Sequence, residues 1–297
     1  MESPSKALLT KAAIEARVDA LPVLPSSVPQ LLALDDASNR FFDDLCRVVE
    51  RDPAYAVRLL AFANSAAFHA KTPANRVSEA VLRLGASRTR TLLLSIGVTR
   101  AFPPVESWEC DLWAHSLMVA SIARCLASRT DLATARPDEA YLCGLLHDIG
   151  RFVMAVERPE VASLENGIGS DKELLAAEIS ACGIDHTQVG ARTVTRWGLG
   201  ADLALVVRGH HTVSNGRDLN GRHADLVRTA EGVVRAHDLQ VGSQDDAASE
   251  EVDARLQGLL PTLLPPWYRP KADTVVTPVR VAIREAIVEG ATLMSRG

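Results

Sequence analysis

Apolar residues along the chain recur three and four positions apart, and no stretch alternates strictly between apolar and polar positions. That periodicity predicts helices and no strands, an all-α protein. Ser3-Pro4 is suited to open a first helix running to Ala20, which Leu21-Pro-Val-Leu-Pro25 breaks. Short helices are expected over 29–34 and 41–50. Asp52 followed by Pro53 is an N-cap with proline at the first helical position, and predicts a helix to about Ala63. A helix around Ser78, Val81, Leu82 and Leu84 ends at Gly85, and another covers 89–101. Phe102-Pro103-Pro104 is the clearest interior break and marks a boundary between two helical halves. Beyond it, helices are expected over 111–128, 137–146, 173–181, 187–197, 201–208 and 224–237. The acidic stretch 242–253 reads as a surface loop, and 261–270 as irregular chain whose Trp267 and Tyr268 pack down. A last helix follows Thr277-Pro278, with Val279, Ile283, Ala286 and Ile287 on one stripe. The expected organisation is therefore 1–104, 105–240, and a tail of 241–297 docked on the body.

Composition narrows the function classes. At 47% hydrophobic and 23% charged, the 297 residues are those of a globular chain. A chain this long buries enough surface to need no disulfide or metal staple. The net charge of -5, the dispersed basic residues and the lack of a recognition-helix motif argue against DNA binding. The five cysteines include no CxxC pair, which suits small core residues in a reducing compartment. The N-terminus lacks a signal-peptide pattern, and the apolar run 92–98 is too short to span a bilayer. A soluble, cytoplasmic protein without a membrane segment is expected.

The candidate chemistry lies in the histidines. His115 falls within an expected helix, and His147 and Asp148 end another. His186 opens a third, His210 and His211 end a fourth, and Glu231 sits inside a fifth. Imidazole with carboxylate suits Zn, Mn, Fe, Co or Ni, and the absence of a clustered Cys speaks against a structural zinc. Two ions at such a site would polarise a phosphoryl group and activate water. Asp111 lies four residues before His115 on the same side of a helix, as an extra ligand or as the acceptor that fixes the imidazole. Spacing alone leaves open that His115 is a hydrogen-bonded core residue and the His-Asp pair a coincidence. His69, His223 and His237 read as surface or partly buried residues.

The stretch Gly144-Leu-Leu-His-Asp-Ile-Gly-Arg151 resembles the HD-domain signature. A longer set of motifs resembles the HDOD family, the HD-related output domains. It comprises Leu21-Pro-Val-Leu-Pro25, Arg51-Asp-Pro53, Leu59-Leu-Ala-Phe-Ala-Asn-Ser65, Ala80-Val-Leu-Arg-Leu-Gly85 and Leu112-Trp-Ala-His-Ser116. It continues with Asp185-His-Thr-Gln-Val-Gly190, Arg196-Trp-Gly-Leu199 and Gly209-His-His211. The resemblance covers about 21–237.

It implies an all-α, multi-helix HDOD fold in which an N-terminal helical half packs on an HD-like half. It also implies bacterial signal transduction by a regulatory or scaffolding module with a signalling protein partner, and a nucleotide as an alternative ligand. His115, His147, Asp148, His186, His210 and His211 match positions where related HD phosphohydrolases place metal ligands, for one or two divalent ions such as Fe, Mn, Zn or Ni. The last such ligand is usually Asp; here Glu231 matches it, and its extra methylene moves the oxygen. HD-GYP phosphodiesterases have Lys where this chain has Arg151 and an acidic residue where it has Thr212. Their Gly-Tyr-Pro signature is absent between Thr212 and His223. These departures argue against that activity. The expected function is a non-catalytic output module that keeps a metal pocket. The alternative is a metal-dependent phosphohydrolase in which Asp148 bridges ions and Arg151 contacts a substrate phosphate, although Arg151 as a surface residue is an equal reading.

Overall fold

A computed structural model describes residues 4–65, 72–130, 136–163, 170–214, 216–237, 250–268 and 272–294. The described residues form helices and no strand. The chain divides into two compact units, one of 1–22 with 104–287 and one of 23–103 with 288–297.

The smaller unit holds α2 (Ser27–Leu32), α3 (Phe41–Glu50), α4 (Pro53–Ala63), α5 (Val77–Leu84) and α6 (Ala86–Thr99). Asp52 caps α4 by accepting from the amides of Ala54 and Tyr55, with Pro53 at the first helical position. Gly85, at φ 85°, makes the joint between α5 and α6. From Thr89 to Thr99 α6 is buried on every side, as befits a central helix. Its hydroxyls are satisfied within the helix: Ser95 donates to Thr91 O and Thr99 to Ser95 O.

The larger unit contains α1 (Pro4–Asp19), α7 (Ser107–Ala127), α8 (Pro137–Leu146), α9 (Ile149–Glu157), α10 (Asp171–Cys182), α11 (His186–Arg196), α12 (Ala201–Gly209), α13 (Leu219–His237) and α14 (Glu250–Leu263). It also holds the first part of α15 (Val276–Met294). α7 packs on α8 and α13, α11 on α9 and α12, and α1 on α9, α10 and α11. Two close approaches fix this arrangement. A Cβ on Gly144 would stand 2.6 Å from Ala120 Cα, so α8 can lie directly against α7. A Cβ on Gly150 would overlap the His186 carbonyl and stand 2.7 Å from Gly190 N, so α9 and α11 cross backbone to backbone.

Several sequence expectations change. α7 begins at Ser107 rather than 111, because the carboxylate of Glu109 accepts from the amides of Val105 and Glu106. α9 forms a separate helix directly after the His-Asp pair. Residues 250–253, read as the end of an acidic loop, open α14, which continues past Pro261 to Leu263. Residues 242–249 and His69 lie outside the described residues. Tyr268 is buried, and the indole of half-buried Trp267 donates to Asp225. Among the described residues, no helix is long and apolar enough to cross a membrane.

Candidate metal centre

Seven of the candidate residues reach one place from five parts of the larger unit. His115 projects from the middle of α7, and His147 and Asp148 occupy the joint between α8 and α9. Asp148 stands at the N-cap position of α9 but makes no side-chain cap bond, which leaves its carboxylate for the histidines. His186 is the first residue of α11, fixed there by Asp185, whose carboxylate accepts from Gln188 N. His210 and His211 follow α12, and Glu231 lies within α13. The two glycine contacts explain the convergence: Gly144 brings α8 onto the helix of His115, and Gly150 brings the His-Asp joint onto His186.

Asp148 is the hub. Its carboxylate lies 3.5 Å from His147 Nε2, 3.3 Å from His186 Nε2, 3.9 Å from His210 Nε2 and 3.2 Å from Arg151 Nη1. The imidazole rings of His115 and His147 are 5.3 Å apart, and those of His210 and His211 4.0 Å. Ligand-type atoms lie within 4.8 Å of one another in four overlapping sets: His186, His210 and His211; His115, His147 and Asp148; His147, His210 and Glu231; and Asp171, His211 and Glu231. Seven candidates are thus brought together. Asp111 is not; it is exposed on α7 and belongs to none of these sets among the described residues. Arg151 is buried against Asp148, not at the surface, and His223 is buried as well.

Burial and charge shape the titration. Burial drives His147 down from the usual imidazole range, and His210 further down, with His211 beside it adding to the effect. Burial works against the Asp148 anion, but His147, Arg151 and His186 outweigh it and hold the carboxyl well below its usual range. Burial opposes the charged form of His186 too, yet Glu178 holds its pKa above the ordinary value. Burial pushes Glu231 up.

The donor set fits a divalent transition metal. His147 Nδ1 donates to Gly144 O at 2.7 Å and His210 Nδ1 to Val207 O at 2.8 Å. That fixes the tautomer and leaves each Nε2 as an acceptor. Both Nε2 atoms are buried without a hydrogen-bond partner, an arrangement costly for an empty polar site. His186 Nε2 and His211 Nε2 face each other at 3.1 Å. Two nitrogens on one tetrahedral ion, each about 2.1 Å from it, stand roughly 3.4 Å apart.

Two acidic residues at the centre carry no motif, and nothing in their spacing marks them as part of it. Asp171 Oδ2 lies 3.0 Å from His211 Nδ1, and Glu178 Oε2 lies 2.7 Å from His186 Nδ1. Arg235, one turn beyond Glu231, bonds both Glu231 and Asp171. The i, i+4 Glu-Arg pair is the one signal of this that the sequence carries.

This all-helical frame around clustered histidines and a hub aspartate is that of an HD-type domain. The HDOD domain family matches residues 21–213, and the chain belongs to that family. Its fold is shared with a solved Shewanella amazonensis protein described as a "putative phosphohydrolase" (TM-score 0.71, 23% identity, 95% of this chain and 98% of that one). An HDOD domain protein of unknown function from Geobacter sulfurreducens is equally similar (TM-score 0.71, 23% identity, 98% and 99% covered). A Marinobacter aquaeolei protein described as a "putative signal transduction protein" is similar too (TM-score 0.69, 22% identity, 98% and 67% covered). In sequence, an uncharacterized Treponema pallidum protein is 28% identical over 204 residues, 68% of this chain. The match spans about 40% of that protein's length.

Proposed function

We propose that the protein is a signal-transduction module of the HDOD family whose HD-type pocket holds one or two divalent transition-metal ions, acting through a protein partner rather than as a hydrolase. The observation that carries the metal reading is the pair of buried, unpartnered Nε2 atoms on His147 and His210, turned toward the carboxylate of Asp148. His115, His147, Asp148, His186, His210, His211 and Glu231 would hold the metal. A bound divalent ion supplies a Lewis acid and a fixed positive charge. Asp148 and Glu231 balance that charge, while the Nδ1 contacts to Gly144 O and Val207 O keep His147 and His210 in the ligating tautomer.

Closure favours a non-catalytic role. His147, His186 and His210 have no exposure, and Asp148 and Glu231 have 2% each, so little of the centre meets solvent. Glu231, which stands where HD enzymes usually have Asp, is also drawn toward Arg235. A metal-dependent phosphohydrolase is the second reading, favoured by the convergence of all seven ligand candidates. In it Arg151, buried beside Asp148, orients the hub carboxylate.

Metal analysis of untagged protein prepared without chelator tests both readings. We expect near-stoichiometric Fe, Mn, Zn or Ni in the wild type, lost in the His147→Ala, Asp148→Ala double variant, and no turnover of cyclic dinucleotides, nucleoside triphosphates or a generic phosphodiester. Metal-free wild type would sink the metal centre. Metal-dependent turnover would replace the non-catalytic reading with the enzymatic one.

A further inference from the structure

The histidines at the centre divide according to what stands behind them. His147 and His210 direct Nδ1 to main-chain carbonyls. His186 Nδ1 hydrogen-bonds the Glu178 carboxylate, His211 Nδ1 lies 3.0 Å from Asp171 Oδ2, and both carboxylates come from α10. Asp171 and Glu178 are two helical turns apart and so lie on one face of that helix. The two imidazoles they back are the ones whose Nε2 atoms meet at 3.1 Å.

Glu178 is entirely buried, and its Oε2 accepts both the backbone amide of His186, at 2.9 Å, and Nδ1, at 2.7 Å. Its Oε1 has no hydrogen-bond partner. A neutral glutamine would accept the same two bonds without the cost of burying a charge. A carboxylate behind a ligating imidazole, in contrast, raises the donor strength of the far nitrogen. Asp171 stands on the Nδ1 side of His211, away from the two Nε2 atoms that meet, and pairs there with Arg235.

We propose that α10 is a positioning element: Glu178 and Asp171 hold His186 and His211 so that both Nε2 atoms bind one divalent ion, which His210 shares. This rests on the metal-centre reading above. Neither carboxylate touches the ion; each acts through its histidine.

The test is Co(II) titration of the full-length, metal-free protein, read by competition with a chelating dye and by the visible absorption of bound Co(II). Glu178→Gln and Asp171→Asn each keep an acceptor oxygen and remove the charge. The wild type is expected to bind Co(II), and each variant to bind it about 10- to 100-fold more weakly with shifted absorption bands. Asp171→Asn also gives up an ion pair with Arg235, so affinities are compared at a temperature where each metal-free variant is fully folded. Variants that bind Co(II) as tightly as the wild type, with the same spectrum, would overturn the positioning role and leave the metal centre standing. Wild type that binds no Co(II) would overturn both. If Glu178→Gln does not fold, the half-exposed Asp171 position decides alone: unchanged affinity in Asp171→Asn rejects the proposal.

Discussion

At the scale of single residues, two glycines show how the same side chain serves opposite purposes. A Cβ at Gly150 would overlap the His186 carbonyl and meet Gly190 N, both backbone atoms that cannot rotate away. Gly150→Ala must therefore separate α9 from α11, and should cost about 1–3 kcal/mol, the usual range for overpacking. At Gly258, inside α14, an added methyl would meet nothing within 4 Å, and the backbone angle is ordinary. Gly258→Ala should raise stability by about 0.5–1 kcal/mol through helix propensity. Urea unfolding of both variants checks the pair; equal effects would mean that the α9–α11 crossing is not close-packed. The motif around His147 is legible in the sequence, and the structure adds why its glycines are there. They set helix spacing, a property that only three-dimensional neighbours reveal.

At the scale of elements, most helices are legible in the sequence to within about five residues, and α9 and α14 are not. The 41–50 and 137–146 helices appear with those bounds, and the helix expected from Pro53 to about Ala63 ends there. α14 is hidden because its acidic first turn and Pro261 both read as loop, although acidic residues suit a helix N-terminus. The role of α10 is hidden for a different reason: Asp171 and Glu178 gain their partners from α11, the residues after α12 and Arg235 of α13. The caps allow a comparison between elements. Asp52 caps α4 in the smaller unit, and Asp185 caps α11 directly before His186. Asp52→Ala and Asp185→Ala should each lose about 1 kcal/mol of stability. Only Asp185→Ala should also weaken metal uptake, since all the candidate ligands belong to the larger unit. Equal metal affinity in the two variants would show that the α11 cap does not govern the centre.

At the scale of the whole molecule, buried histidines tie stability to pH. His223 gives the cleanest case because it stands outside the candidate ligand sets. It is buried on α13, its Nε2 has no hydrogen-bond partner, and burial lowers its pKa below the ordinary 6.5; Glu139 works to raise it and Arg136 to lower it. Above pH 6.5 neither the folded nor the unfolded state carries a proton there, so the group adds no pH dependence. Below that pH the unfolded chain takes up a proton that the folded chain resists. Stability therefore falls as pH drops from 6.5 toward the depressed folded value. One such proton contributes a slope of at most about 1.4 kcal/mol per pH unit. In metal-free protein, the stability of His223→Gln between pH 7.5 and 5.5 should fall less steeply than that of the wild type, whatever its stability at neutral pH. Asp148 and Asp171, whose pKa values lie below the ordinary carboxylate range, contribute their own losses only at more acidic pH. Identical slopes would mean that His223 gains a proton as readily folded as unfolded, and hence that its burial on α13 is relieved in solution.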